Sequence, residues 1–134
     1  MEEVKSVKTE PTVVGGLSDR QIKALYCLNA LQLMAVQRQT VTYQTLATLL
    51  GLPTQGNAMS NAVSQVLGDV FAFCLRAGLP PLTVLVVRKR GTDKGIPGPG
   101  FWKLYLPNLV PDLETRVEIT ERETARCFNL FSHL

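Results

Sequence analysis

The stretch VTYQTLATLLGLPTQGNAMSNAVSQVL, residues 41–67, carries the pattern that decides the fold. Thr42 is placed to cap a short helix over 43–50, its side-chain oxygen accepting from an amide of the first turn. Leu46, Leu49 and Leu50 give that helix an apolar side. Gly51 suits the left-handed residue that ends a helix, and Pro53 forbids continuation. A second helical pattern starts near Asn57 and runs to about Arg76. Its apolar stripe is Ala58, Ala62, Val63, Val66, Leu67, Val70, Phe71 and Cys74. Gly68 weakens its middle by roughly 1 kcal/mol relative to alanine and is the place for a kink or break. A short helix, a glycine turn and a second helix form a helix-turn-helix layout.

Upstream, Ser18 and Gln21 form a capping box for a helix over 18–38. Ile22, Leu25, Leu28, Leu31 and Met34 or Ala35 mark its core face. Residues 1–17 show no steady period and read as a flexible arm, leaving 18–134 as a single domain. Downstream, LTVLVVRK (82–89) is rich in β-branched residues and predicts a strand, and FWKLYL (101–106) predicts its partner. Thr120 and Glu123 form a second capping box, for a C-terminal helix with Ala125 or Cys127, Phe128, Phe131 and Leu134 at helical spacing. The predicted fold is α+β: a winged helix-turn-helix with three N-terminal helices, a β-hairpin wing and a C-terminal helix.

The connection between the two predicted strands holds the densest positive charge. Residues 88–103 contain Arg88, Lys89, Arg90, Lys94 and Lys103 against Asp93 alone, although the whole chain is only +3. Residues 112–126 are net acidic. A basic patch beside an acidic segment favours one oriented surface for a polyanion. On the helix from 57 to 67, Asn57, Ser60, Asn61, Ser64 and Gln65 lie off the apolar stripe. Asparagine and glutamine bond in pairs to adenine edges in the major groove, and serine bonds to several bases. Lysines and arginines at a wing tip rest on phosphates. The candidate DNA-binding set is therefore Asn57, Ser60, Asn61, Ser64, Gln65, Arg88, Lys89, Arg90 and Lys94. No Arg or Lys lies between residues 54 and 75, so the arginine–guanine contact commonest in specific readers is missing from that helix.

Catalytic, metal and cofactor chemistry is not expected. His133 is the only histidine, which argues against a histidine-based triad and a zinc site. The glycines of 91–100 lack the Gly-Lys-Ser/Thr ending of a phosphate-binding loop. Cys27, Cys74 and Cys127 are odd in number and widely spaced, and read as reduced thiols of a cytoplasmic protein. No apolar run approaches the roughly 18–20 residues of a membrane span, and Glu2 and Glu3 argue against a signal peptide.

Residues 41–67 resemble the winged-helix DNA-binding core of alkyltransferases and alkyltransferase-like proteins. Thr42, Tyr43, Leu46, Ala47, Gly51 and Pro53 match the family's first helix and turn. Asn57, Ala58, Asn61 and Ala62 stand where its recognition helix begins. The resemblance implies a double-stranded DNA partner. The family's Pro-Cys-His-Arg acceptor motif is absent, its region being occupied by LPPLTVLVV, so alkyl transfer is not implied. The segment GLPPLTVLVVRK…GIPGPGFW also looks like winged-helix modules of phage and restriction-associated proteins. That likeness implies an alternative: a protein-binding module that inhibits a host defence or DNA-processing complex, with Phe101, Trp102 and Tyr105 as its anchors, although such residues are more often strand residues packing on the core.

Overall fold

The computed structural model describes residues 16–132. Most of the arm expected over 1–17 lies outside the described residues, as do His133 and Leu134. The chain is α+β, mostly helical, with one small parallel sheet. Its elements are α1 (Asp19–Gln37), β1 (Val41–Thr42), α2 (Tyr43–Leu50), α3 (Gly56–Ala77), β2 (Val86–Val87), α4 (Pro99–Tyr105) and α5 (Leu113–Leu130). A 3₁₀ turn, Leu82–Leu85, precedes β2.

The first three helices form where local signals place them. Ser18 Oγ accepts from the Gln21 N–H at 3.1 Å, and the Ser18 N–H donates to Gln21 Oε1 at 2.9 Å, so the capping box is complete. Thr42 Oγ1 accepts from the Thr45 N–H at 3.3 Å, and Gly51, at φ 69°, ends α2. α3 runs unbroken through Gly68 to Gly78. Burial refines the expected faces. Cys27, Leu31 and Ala35 form the inner stripe of α1, whereas Leu25 is 44% exposed; on α2 Leu46 and Ala47 are buried and Leu49 points out. Ala58, expected on the α3 stripe, is exposed.

The hairpin wing is not formed. The β-branched run 82–87 splits into the 3₁₀ turn and the two-residue β2. β2 pairs in parallel with β1, Val41 opposite Val86 and Thr42 opposite Val87. A parallel pair needs a long crossover, which α2 and α3 supply. Residues 82–87 are buried throughout, a setting in which an apolar run carries no period to separate strand from helical turn. The 3₁₀ turn packs against α1, α3 and α5 and lies at the centre of the core.

FWKLYL is helical rather than extended. Pro99 stands at the first helical position, where its fixed φ and missing N–H are no handicap. The helix lets Phe101 and Trp102 turn inward together. Phe101 packs edge-on to Phe71 (5.9 Å between centroids) and to Trp102 (4.9 Å), and stacks on Tyr105 at 5.4 Å. Trp102 Nε1 donates to the Pro97 carbonyl at 3.0 Å, so the indole is buried with its donor satisfied.

α5 begins seven residues before the expected cap at Thr120, because Asp112 caps it through the Thr115 N–H at 2.9 Å. Ile119, Thr120, Glu123 and Cys127 form its inner face, while Ala125 is exposed. The buried Glu123 carboxylate accepts from the Tyr105 hydroxyl and from Arg126 Nη1 at 2.6 Å, tying α4 to α5. All three cysteines are buried and free. Among the described residues α3 alone is long and apolar enough to cross a membrane; its Val63, Val66, Val70, Phe71 and Cys74 are core residues here.

Candidate nucleic-acid interface

Residues 88–98 form a closed loop in place of the predicted wing tip. The Arg88 N–H donates to the Ile96 carbonyl and the Gly95 N–H donates to the Arg88 carbonyl, both at 2.9 Å. Gly91 (φ 95°) and Gly95 (φ 87°) take the left-handed conformations that this reversal requires. Arg88 Nε pairs with Asp93 Oδ1 at 2.9 Å across the loop. Ile96, Pro97 and Gly98 are buried, so the loop is anchored in the core at its return end.

The anchor is Tyr43, the first residue of α2. The Gly98 N–H donates to its hydroxyl at 2.7 Å. Burial raises the Tyr43 phenol above its ordinary range, partly offset by that hydrogen bond and by Arg88. A Cβ on residue 98 would stand 3.1 Å from Tyr43 Oη, so a glycine there allows the close approach.

Loop and helices line a half-open cavity of about 600 Å³. One part of its wall comes from the starts of α2 and α3, including Thr42, Gln44, Thr54, Gln55 and Gly56. Gln44 Nε2 donates to the Thr54 carbonyl at 3.1 Å, which fixes the α2–α3 turn against the first turn of α2. No side chain caps α3, whose N-cap is Gln55. A further part is Arg88, Lys89 and Arg90, and the apolar part includes Met59, Val63, Leu67, Phe101 and Leu104. None of the lining residues is Asp, Glu, His or Cys. Lys89 and Arg90 are exposed and make no ion pair with any described residue. Two helix N-termini and three cations facing one acid-free space favour an anion.

Of the candidate set, Ser60, Ser64, Arg88, Lys89 and Arg90 come together in this cavity. Asn57, Asn61 and Gln65 follow one another at i, i+4 and i+8 on an exposed stripe of α3 next to it. Lys94 belongs to the same loop but lies outside the cavity wall. Phe101 and Trp102 are core residues, which removes two of the three anchors that a protein-binding surface would use. Sequence reasoning missed Tyr43 as the loop's anchor and Thr83 in the cavity wall. Thr83 did carry a signal, as the one polar residue in LTVLVV.

Compared with family models, curated proteins and solved structures, the chain matches none.

Proposed function

We propose that this is a non-catalytic, double-stranded-DNA-binding protein. In this reading α2, its turn and α3 act as a helix-turn-helix, and the closed loop 88–96 stands where a winged helix would have its hairpin. One observation carries the proposal: three consecutive cations share one acid-free cavity wall with Ser60, Ser64 and the starts of α2 and α3. The exposed stripe Asn57, Asn61 and Gln65 supplies groups for base edges beside them. The likeness of residues 41–67 to alkyltransferase-type DNA-binding cores points the same way.

The test is fluorescence anisotropy of a labelled duplex against salt. With Lys89 and Arg90 each neutralising one phosphate, log K should fall with log salt at a slope of about −1.8, and Lys89→Ala/Arg90→Ala should remove most of it. Lys103→Ala, outside the cavity wall, should leave it unchanged. No duplex binding at low salt, or an unaltered slope in the double variant, would overturn the proposal.

A further inference from the structure

The cavity has a second character that phosphate contact along a duplex does not use. Much of its lining is apolar, and Thr83 contributes to its wall while being only 3% exposed. Thr83 Oγ1 is buried and has no hydrogen-bond partner among the described residues. That oxygen has almost no accessible surface, so it is closed off from the cavity as well as from solvent. A volume of about 600 Å³ lies in the range that encloses a discrete organic molecule.

We propose that the cavity is a ligand site for a phosphate monoester carried on a flat apolar body. Lys89, Arg90 and the start of α3 would hold the phosphate. The body would lie against Met59, Leu67 and Leu104, apolar residues of the wall that are not fully buried. The proposal rests on reading this face as the anion-binding surface, but needs no duplex. The same chemistry comes from a free aromatic phosphate ester or from the 5′-phosphate end of a DNA strand.

Isothermal titration at low salt with 1-naphthyl phosphate, 1-naphthol and inorganic phosphate tests it. The ester is expected to bind one per chain, at least tenfold more tightly than either fragment. Met59→Ala should weaken it about three- to tenfold by removing apolar contact. Thr83→Val should leave it unchanged, because the cavity does not reach the Thr83 hydroxyl. Lys89→Ala/Arg90→Ala should abolish the preference for the ester over the naphthol. A second titration compares a short single strand bearing a 5′-phosphate with the same strand bearing a 5′-hydroxyl. Preference for the phosphorylated strand over 1-naphthyl phosphate assigns the site to strand ends, and the reverse order assigns it to free esters. If wild-type protein binds duplex but neither ester nor phosphorylated strand at millimolar concentration, the ligand site is wrong and the duplex reading stands. If it binds ester but no duplex, the ligand site stands and the duplex reading is wrong. Equal ester affinity of wild type and Met59→Ala overturns the pose.

Discussion

Replacing Tyr43 with phenylalanine keeps the ring that starts α2 and deletes only the hydroxyl that receives the Gly98 N–H. Gly98 is buried, so its donor has no ready exchange to solvent. Leaving a buried donor unpaired costs roughly 1–3 kcal/mol, and local relaxation of a loop end argues for the lower part, about 1–2 kcal/mol. For a chain of 134 residues, an unfolding entropy of about 2.1 cal/mol/K per residue turns that into a Tm drop of about 4–7 °C. In urea, with a slope near 2 kcal/mol/M, the midpoint should fall by about 0.5–1 M at unchanged slope. Trp102, buried beside Pro97, reports both transitions by fluorescence. Gly98→Ala should also destabilise, because its Cβ meets the same hydroxyl at 3.1 Å. Combined with Tyr43→Phe, that second change should lose most of its penalty, an interaction energy that independent sites do not show. A Tyr43→Phe shift under about 1 °C, or strictly additive effects, would refute the view that this hydroxyl holds the loop to α2.

Alkaline pH should unfold the protein through its thiols. Burial pushes Cys27 and Cys127 up to about 12, and also raises Cys74. A raised folded-state pKa gives stability that is complete below the unfolded value near 9 and lost as pH rises towards 12. Each of the two most shifted thiols should contribute a slope of about 1.4 kcal/mol per pH unit across that window, read from urea midpoints. Tyr43 and Tyr105 add the same sign from about pH 10. Midpoints flat from pH 9 to 11 would exclude this. At neutral pH the thiols should react with a thiol reagent only as fast as the chain opens. Glu123→Gln should cost about 1–2 kcal/mol, because the amide cannot accept from both Tyr105 and Arg126. The larger figures for broken buried pairs do not apply, since Arg126 stays half exposed and solvated. A double-mutant cycle with Tyr105→Phe in urea should show coupling; none would mean that α4 is held without this bond.

The parts of the fold legible in the sequence are those decided within a few residues. Ser18 with Gln21, Thr42 with Thr45, and Gly51 before Pro53 each settle a helix end by contacts inside one turn. Residues 82–87 are not legible in this way, because their conformation is set by what surrounds them. Buried on every side, they satisfy both a 3₁₀ turn and a strand pair with Val41 and Thr42. FWKLYL suggests a strand by its aromatic residues, but its N-terminal neighbours Gly98 and Pro99 already carry a helix start. The expected cap at Thr120 is a true pattern in the wrong place. Its threonine and glutamate are buried on α5, Glu123 serving Tyr105 rather than a backbone amide.

The cations of the candidate site are visible from charge alone, yet their arrangement changes what that charge can do. A loose finger would have to be ordered on contact, losing backbone and side-chain freedom as it bound. Here Arg88 is held by two backbone bonds, by Asp93 and through the Gly98–Tyr43 bond, so the loop has its shape before any ligand arrives. Asp93 also neutralises part of the local charge, leaving Lys89 and Arg90 as the cations free of ion pairs among the described residues of this wall. Two or three charges on a pre-shaped loop beside a partly apolar cavity select differently from five on a mobile one. They reward a ligand whose anionic group and apolar body match one geometry, and they give less to a polyanion that offers charge alone. That is why the affinity ratio between a phosphate ester and bare phosphate is more informative about this face than duplex affinity at a single salt concentration.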